Sequence, residues 1–183
     1  MLCLMTLGLV SCKSRLKPFP GQERLHPVIQ RMLAERHMTR SQLYDLRFYP
    51  DGYKENPDYH PEYEGKARCY TLKATDIYSF VDEKLLTITH TFWESKKQPE
   101  DFPLDEILDI LGPPDLVFNG SSHMPNNYYL FLDKGIRVTQ RFDYDCYFSI
   151  EVFPPMDIME YVKMHQGNSY GDALEAAVER GGK

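Results

Sequence analysis

The 183-residue chain lacks most of the signals that announce a chemistry. Its four cysteines form no Cys-x-x-Cys pair, which excludes a dithiol redox motif and thiolate zinc sites of that spacing. There is no Walker loop, no dinucleotide fingerprint, no Gly-x-Ser-x-Gly elbow and no His-Glu-x-x-His run, so none of the corresponding phosphate, hydride, acyl-transfer or zinc chemistries is signalled. No apolar stretch approaches the length of a membrane span. Positive charge is also scarce: 21 Lys and Arg stand against 27 Asp and Glu, a net charge of −6. The cations are dispersed, and a phosphate backbone needs them clustered. Nucleic acid is therefore excluded as a partner, and electrostatic adsorption to anionic lipid is disfavoured. Aromatic residues are plentiful, with 13 Tyr and 10 Phe, so the chain can build one core of useful size.

The N-terminus carries the clearest pattern. Leu2 to Val10 is a short apolar run ending in Leu9-Val10-Ser11-Cys12, long enough for the core of a signal peptide and too short to span a bilayer. The last four residues resemble the lipobox of bacterial lipoproteins: an aliphatic residue, a second aliphatic or small one, a small one, then cysteine. That resemblance implies cleavage before Cys12 and lipid (diacylglycerol, with palmitate-type acyl chains) on its thiol. A signal peptide ordinarily opens on Lys or Arg, and none precedes Lys13. A start upstream of Met1 would complete the pattern. The expected organisation is signal peptide 1–11, tether 12–22 containing Pro18 and Pro20, and one domain over 23–183. The expected location is the cell envelope, lipid-anchored on the periplasmic side or in the outer membrane.

Cys69 and Cys146 remain in the mature chain. An exported protein meets an oxidising compartment, so they are a candidate disulfide. Two separate buried thiols satisfy the sequence equally well.

Apolar spacing predicts a helix over 23–37, with Leu25, Val28, Ile29, Met32 and Leu33 on one face and Pro27 in its first turn. Thr39 and Gln42 resemble a capping box opening a short helix through Leu46. Residues 49–66 read as a loop, rich in turn residues and in Tyr49, Tyr53, Tyr59 and Tyr63. A strand is expected over 67–73, a helical turn over 75–82, and a strand over 85–93 with Leu86, Ile88, His90 and Phe92 on one face. Helix 103–111 is bounded by Pro103 and Gly112. Strands follow at 115–118, 127–133, 135–142 and 146–153, with Asp133-Lys134-Gly135 as a hairpin turn. Helices over 156–164 and 170–180 close the chain, the second with Ser169 and Asp172 at its start. This order predicts an α+β fold: an antiparallel sheet of four to five strands with helices packed on one face. No repeat of fixed period is visible.

The segment Leu104–Asp115, LDEILDILGPPD, resembles an element of small exported lipoproteins of the SmpA/OmlA type and of the β-lactamase-inhibitor fold. In these an amphipathic helix ends in Leu-Gly-x-Pro and leads into a sheet. The resemblance implies a non-catalytic, protein-binding or scaffolding role, and it assigns no functional residue here.

The residues give enzymology little to work with. His26 and His37 lie about three helical turns apart, roughly 16 Å, too far to share a metal. His90 faces the core of its strand. Asp143 and Asp145 alternate as a cation-binding turn can, though turn chemistry alone explains them. No cofactor or metal is expected. Three functions follow: a lipid-anchored binding module with an envelope protein partner; an exported hydrolase or metal-dependent enzyme with Asp143, Asp145 and His123 in one cleft; and a cytosolic binding protein of the immunity or inhibitor kind.

Overall fold

The computed structural model describes residues 17–43, 54–56, 67–72, 76–93, 104–120, 126–141 and 147–181, with 54–56 and 67–72 as backbone. The expected signal peptide, Cys12 and the expected tether up to residue 16 lie outside them.

The expected α+β class with an antiparallel sheet is what the chain forms. A short 3-10 turn, Gln22–Arg24, precedes α1 (Pro27–Glu35) and α2 (Arg40–Leu43). Strands β1 (Lys54–Asn56), β2 (Ala67–Leu72), β3 (Asp76–Val81) and β4 (Lys84–Trp93) follow. Then come α3 (Leu104–Leu111), β5 (Leu116–Asn119), β6 (Asn126–Phe131), β7 (Ile136–Arg141) and β8 (Tyr147–Val152). Helices α4 (Ile158–Met164) and α5 (Ser169–Glu179) end the chain. All eight strands form one sheet in the order β1-β2-β3-β4-β8-β7-β6-β5, every pair antiparallel. Two four-stranded meanders, each preceded by helix, therefore meet through their last strands.

The sheet has eight strands against the four to five expected, and two of them form where no strand was expected. Residues 76–81 form β3 rather than a helical turn, because Asp82 adopts a positive φ of 52° and closes a two-residue hairpin with Glu83, the turn geometry that matches strand twist. A short β1 also lies within the stretch read as loop.

The helices do not share one face. On β6, Tyr129 and Phe131 pack with α1 and α3, whereas Tyr128 and Leu130 pack with α4 and α5. Strand side chains alternate, so α1 and α3 cover one face and α4 and α5 the other. The one-face expectation is corrected on that ground. A bulge between Ser79 and Phe80 of β3 and Leu85 to Thr87 of β4 adds a second correction. It breaks the alternation, so Leu85 joins Ile88 under α1 while Leu86 packs on the opposite side.

Local chemistry explains the helix ends. Pro27 occupies the first position of α1, and His26 caps it by accepting from the Val28 amide, so the helix starts later than 23. The Thr39–Gln42 capping box is present in both directions. Asn168, not Ser169, caps α5, accepting from the Gly171 amide at 2.7 Å. The end of the expected tether already touches the domain: Phe19 packs against the α1–α3 core, with the Lys134 ammonium 5.9 Å from its ring centre.

Candidate functional site

Three polar arrangements stand out, one on each sheet face and one at a sheet end.

On the α1 face, His90 and Asp76 are cross-strand partners, and His90 Nδ1 contacts the Asp76 carboxylate. Arg31 of α1 reaches the other oxygen of Asp76 at 2.6 Å. One helical turn on, Glu35 accepts from the Tyr78 hydroxyl at 2.8 Å. Burial raises the Asp76 pKa, but the His90 hydrogen bond and the Arg31 charge outweigh it and hold the carboxyl below its ordinary value. Burial and the Glu35 carboxylate push the Tyr78 hydroxyl up. A histidine oriented by a carboxylate is half of a nucleophile-activating relay. Here the carboxylate is shared with Arg31, and the network fastens α1 to β3 and β4. His90 is thus a satisfied core histidine, as its strand position suggested.

On the opposite face, Arg137 and Glu151 are also cross-strand partners, their side chains 3.0 Å apart. Glu151 accepts from the Tyr161 hydroxyl at 2.8 Å and lies 3.5 Å from His165 Nε2. Tyr161 and Tyr170 link their hydroxyls at 3.1 Å, and the Arg137 guanidinium lies 4.3 Å from the Tyr170 ring centre. This charge sits deep beneath α4 and α5. Burial alone would raise the Glu151 pKa. The Arg137 charge, His165 and the Tyr161 hydroxyl reverse that and bring it from the ordinary 4.5 to about 2. Burial pushes the Tyr170 hydroxyl up to about 12.

A depressed carboxyl contributes stability above its unfolded pKa and loses it as pH falls through the folded one. Stability should therefore hold from pH 7 to about 5 and decline between about 4.5 and 2. Urea melts across that range should show a shallower acid decline in Glu151→Gln than in the wild type. Equal slopes in the two would remove Glu151 as a source of it.

The third arrangement lies where α1 gives way to α2. Arg36, His37, Met38, Thr39, Glu83, Lys84, Leu85 and Pro154 line a hollow of about 410 Å³. Arg36 is 7% exposed. Its Nε donates to His37 Nε2 at 3.2 Å, and its Nη1 donates to the Lys134 carbonyl. Gly135 makes this approach available: with φ at +64°, a Cβ there would lie 2.1 Å from the Phe153 carbonyl and 3.2 Å from Arg36 Nη1. Burial lowers the Arg36 pKa, and burial with the Arg36 charge lowers that of His37. Glu83 is held ionised, first by hydrogen bonds from Ser41 and then by Arg40 at 2.9 Å.

The residues singled out in the sequence fall mostly elsewhere. Cys12, Cys146, His123, Asp143 and Asp145 lie outside the described residues. So do Tyr49, Tyr53, Tyr59 and Tyr63. Cys69 is on β2, with Ser79 and Asn56 as its backbone neighbours across the sheet. Whether Cys69 meets Cys146, or Asp143 and Asp145 meet His123, therefore falls outside the described residues. The structure brings together Arg31, Asp76 and His90, and Arg137, Glu151 and Tyr161, none of which periodicity pairs. Only strand register could have matched them. Among the described residues, no three His, Cys, Asp or Glu side chains converge as metal ligands would. No described helix is long and apolar enough to cross a membrane.

Comparison with protein-family models, with curated proteins and with solved structures finds no match.

Proposed function

We propose that this chain is a cell-envelope lipoprotein, anchored by lipid on Cys12, whose α+β domain binds an envelope protein rather than catalysing a reaction. The observation that carries the reading is the apolar run ending in Leu9-Val10-Ser11-Cys12, followed by a polar stretch with Pro18 and Pro20. Two structural features are consistent with it. The expected tether meets the domain at Phe19, so an anchor at Cys12 would sit within a few residues of the folded surface. The buried ionisable groups on both faces are engaged with one another between helix and sheet, an arrangement that fastens the helices to the sheet. Attachment through lipid also suits a mildly acidic chain, which gains little from anionic headgroups.

Affinity recovery of the tagged full chain from gently solubilised native membranes tests the binding role. A stoichiometric envelope protein should co-purify and survive washing. Recovery of the chain alone, with the partner absent also after mild crosslinking, would contradict it.

A further inference from the structure

We infer that the hollow between α1, α2 and the β3–β4 turn is a binding site for a singly charged carboxylate carrying an apolar body, with Arg36 as the residue that holds the carboxylate.

Arg36 is the anomaly that points there. The two guanidinium groups that face the sheet from the networks above, one part-buried and one nearly enclosed, each have a carboxylate: Asp76 for Arg31 and Glu151 for Arg137. For Arg36, burial alone displaces the pKa, and downward. Among the described residues no carboxylate compensates its charge. Its two hydrogen bonds go to neutral acceptors, the His37 ring and the Lys134 carbonyl. His37 accepts at Nε2, and partial desolvation with the Arg36 charge lowers its pKa. A guanidinium has five donors in a planar fork. Two are engaged here, through Nε and Nη1, and Nη2 belongs to a side chain that lines the hollow. Its place at the C-terminal end of α1 offsets part of the charge through the helix dipole, but a dipole end is screened and partial. A bidentate carboxylate is the natural complement of the remaining edge.

The walls define the rest of the ligand. Met38, Leu85 and Pro154 are apolar, and the volume of about 410 Å³ falls within the roughly 300–1,000 Å³ of small-molecule sites. Glu83 stands on the same wall, ionised. One buried cation facing one carboxylate favours a monoanion and disfavours a dianion such as phosphate. Lys84, exposed at the rim, adds long-range attraction without fixing geometry. Two sources carry this chemistry: a fatty-acyl carboxylate, and the C-terminal carboxylate of a peptide with apolar side chains.

Calorimetric titration of the full chain tests the site, with octanoate and N-acetyl-Leu-Leu as the two carboxylate probes. Octanol and inorganic phosphate are the controls. At least one carboxylate should bind saturably at one site, at least tenfold more tightly than octanol or phosphate. Which probe binds identifies the source. Arg36→Gln should weaken that binding at least tenfold. Met38→Trp, which fills the hollow and leaves the guanidinium in place, should do the same and decides the matter if Arg36→Gln does not fold. Absence of binding by both carboxylates, equal binding of octanol, or undiminished binding in folded Met38→Trp would overturn the assignment. None of these outcomes bears on membrane attachment.

Discussion

Replacing Glu151 by Ala is expected to destabilise the domain by about 3–5 kcal/mol, the range for breaking one side of a buried ion pair. The loss is large because the change strands more than one group. Arg137 would keep its charge beneath α4 and α5, the Tyr161 hydroxyl would lose its acceptor at 2.8 Å, and His165 would lose its neighbour at 3.5 Å. Against a total of about 5–15 kcal/mol for a typical domain, this is a substantial fraction. For a chain of this size it corresponds to a fall in Tm of roughly 6–20 °C. The double substitution Arg137→Met with Glu151→Leu should recover much of the loss, because it removes both charges together. Recovery should be incomplete, since Tyr161 and His165 still lack their acceptor. Thermal denaturation of the single and double variants checks both statements. A Glu151→Ala variant as stable as the wild type would show that the pair does not hold α4 to the sheet.

Replacing Cys12 by Ala has the largest expected effect on where the protein resides. If lipid on this thiol is the sole anchor, the variant should leave the membrane pellet for the soluble fraction almost completely. The contrast is steep because the acidic chain supplies little electrostatic adhesion of its own. The folded domain should be unaffected, as its described core begins with Phe19 and Leu25. Fractionation of cells expressing either form checks this. Equal membrane retention of the two forms would point to attachment through something other than Cys12.

Much of the architecture was legible in the sequence, because periodicity and end signals act locally. Helix 103–111 is found as α3, with Ile107 and Leu111 buried one turn apart, and Gly112 leaves it with a φ of +73°. Phe148, Ile150 and Val152 face inward from β8 as their alternation required. The errors came where a local pattern had more than one solution. Asp76–Val81 carries Asp, Tyr and Ser among its apolar residues. What makes it a strand is pairing on both sides, with β2 and β4. Strict alternation puts Leu86 on the face of Ile88, and a single bulge reverses it. The one-face packing of helices failed for a related reason. The polar residues on the second face of β7 and β8, Arg137, Thr139 and Glu151, look like a solvated side when read along the chain. Glu151 is buried because α4 supplies Tyr161 and His165 to meet it, and Tyr170 of α5 lays its ring beside Arg137. Charge pairing across strands depends on register and on a covering helix, and neither is written at a fixed spacing. The Arg36 hollow was invisible on the same grounds: Met38, Glu83 and Pro154 meet there from three separate parts of the chain.

The central claim is that Cys12 is the lipidated first residue of the mature protein. Intact-mass analysis of the chain extracted from native membranes tests it most directly. The account predicts a polypeptide whose first residue is Cys12, with the added mass of a diacylglyceryl group that maps to the Cys12 peptide. An unmodified chain that retains the residues before Cys12 would contradict it.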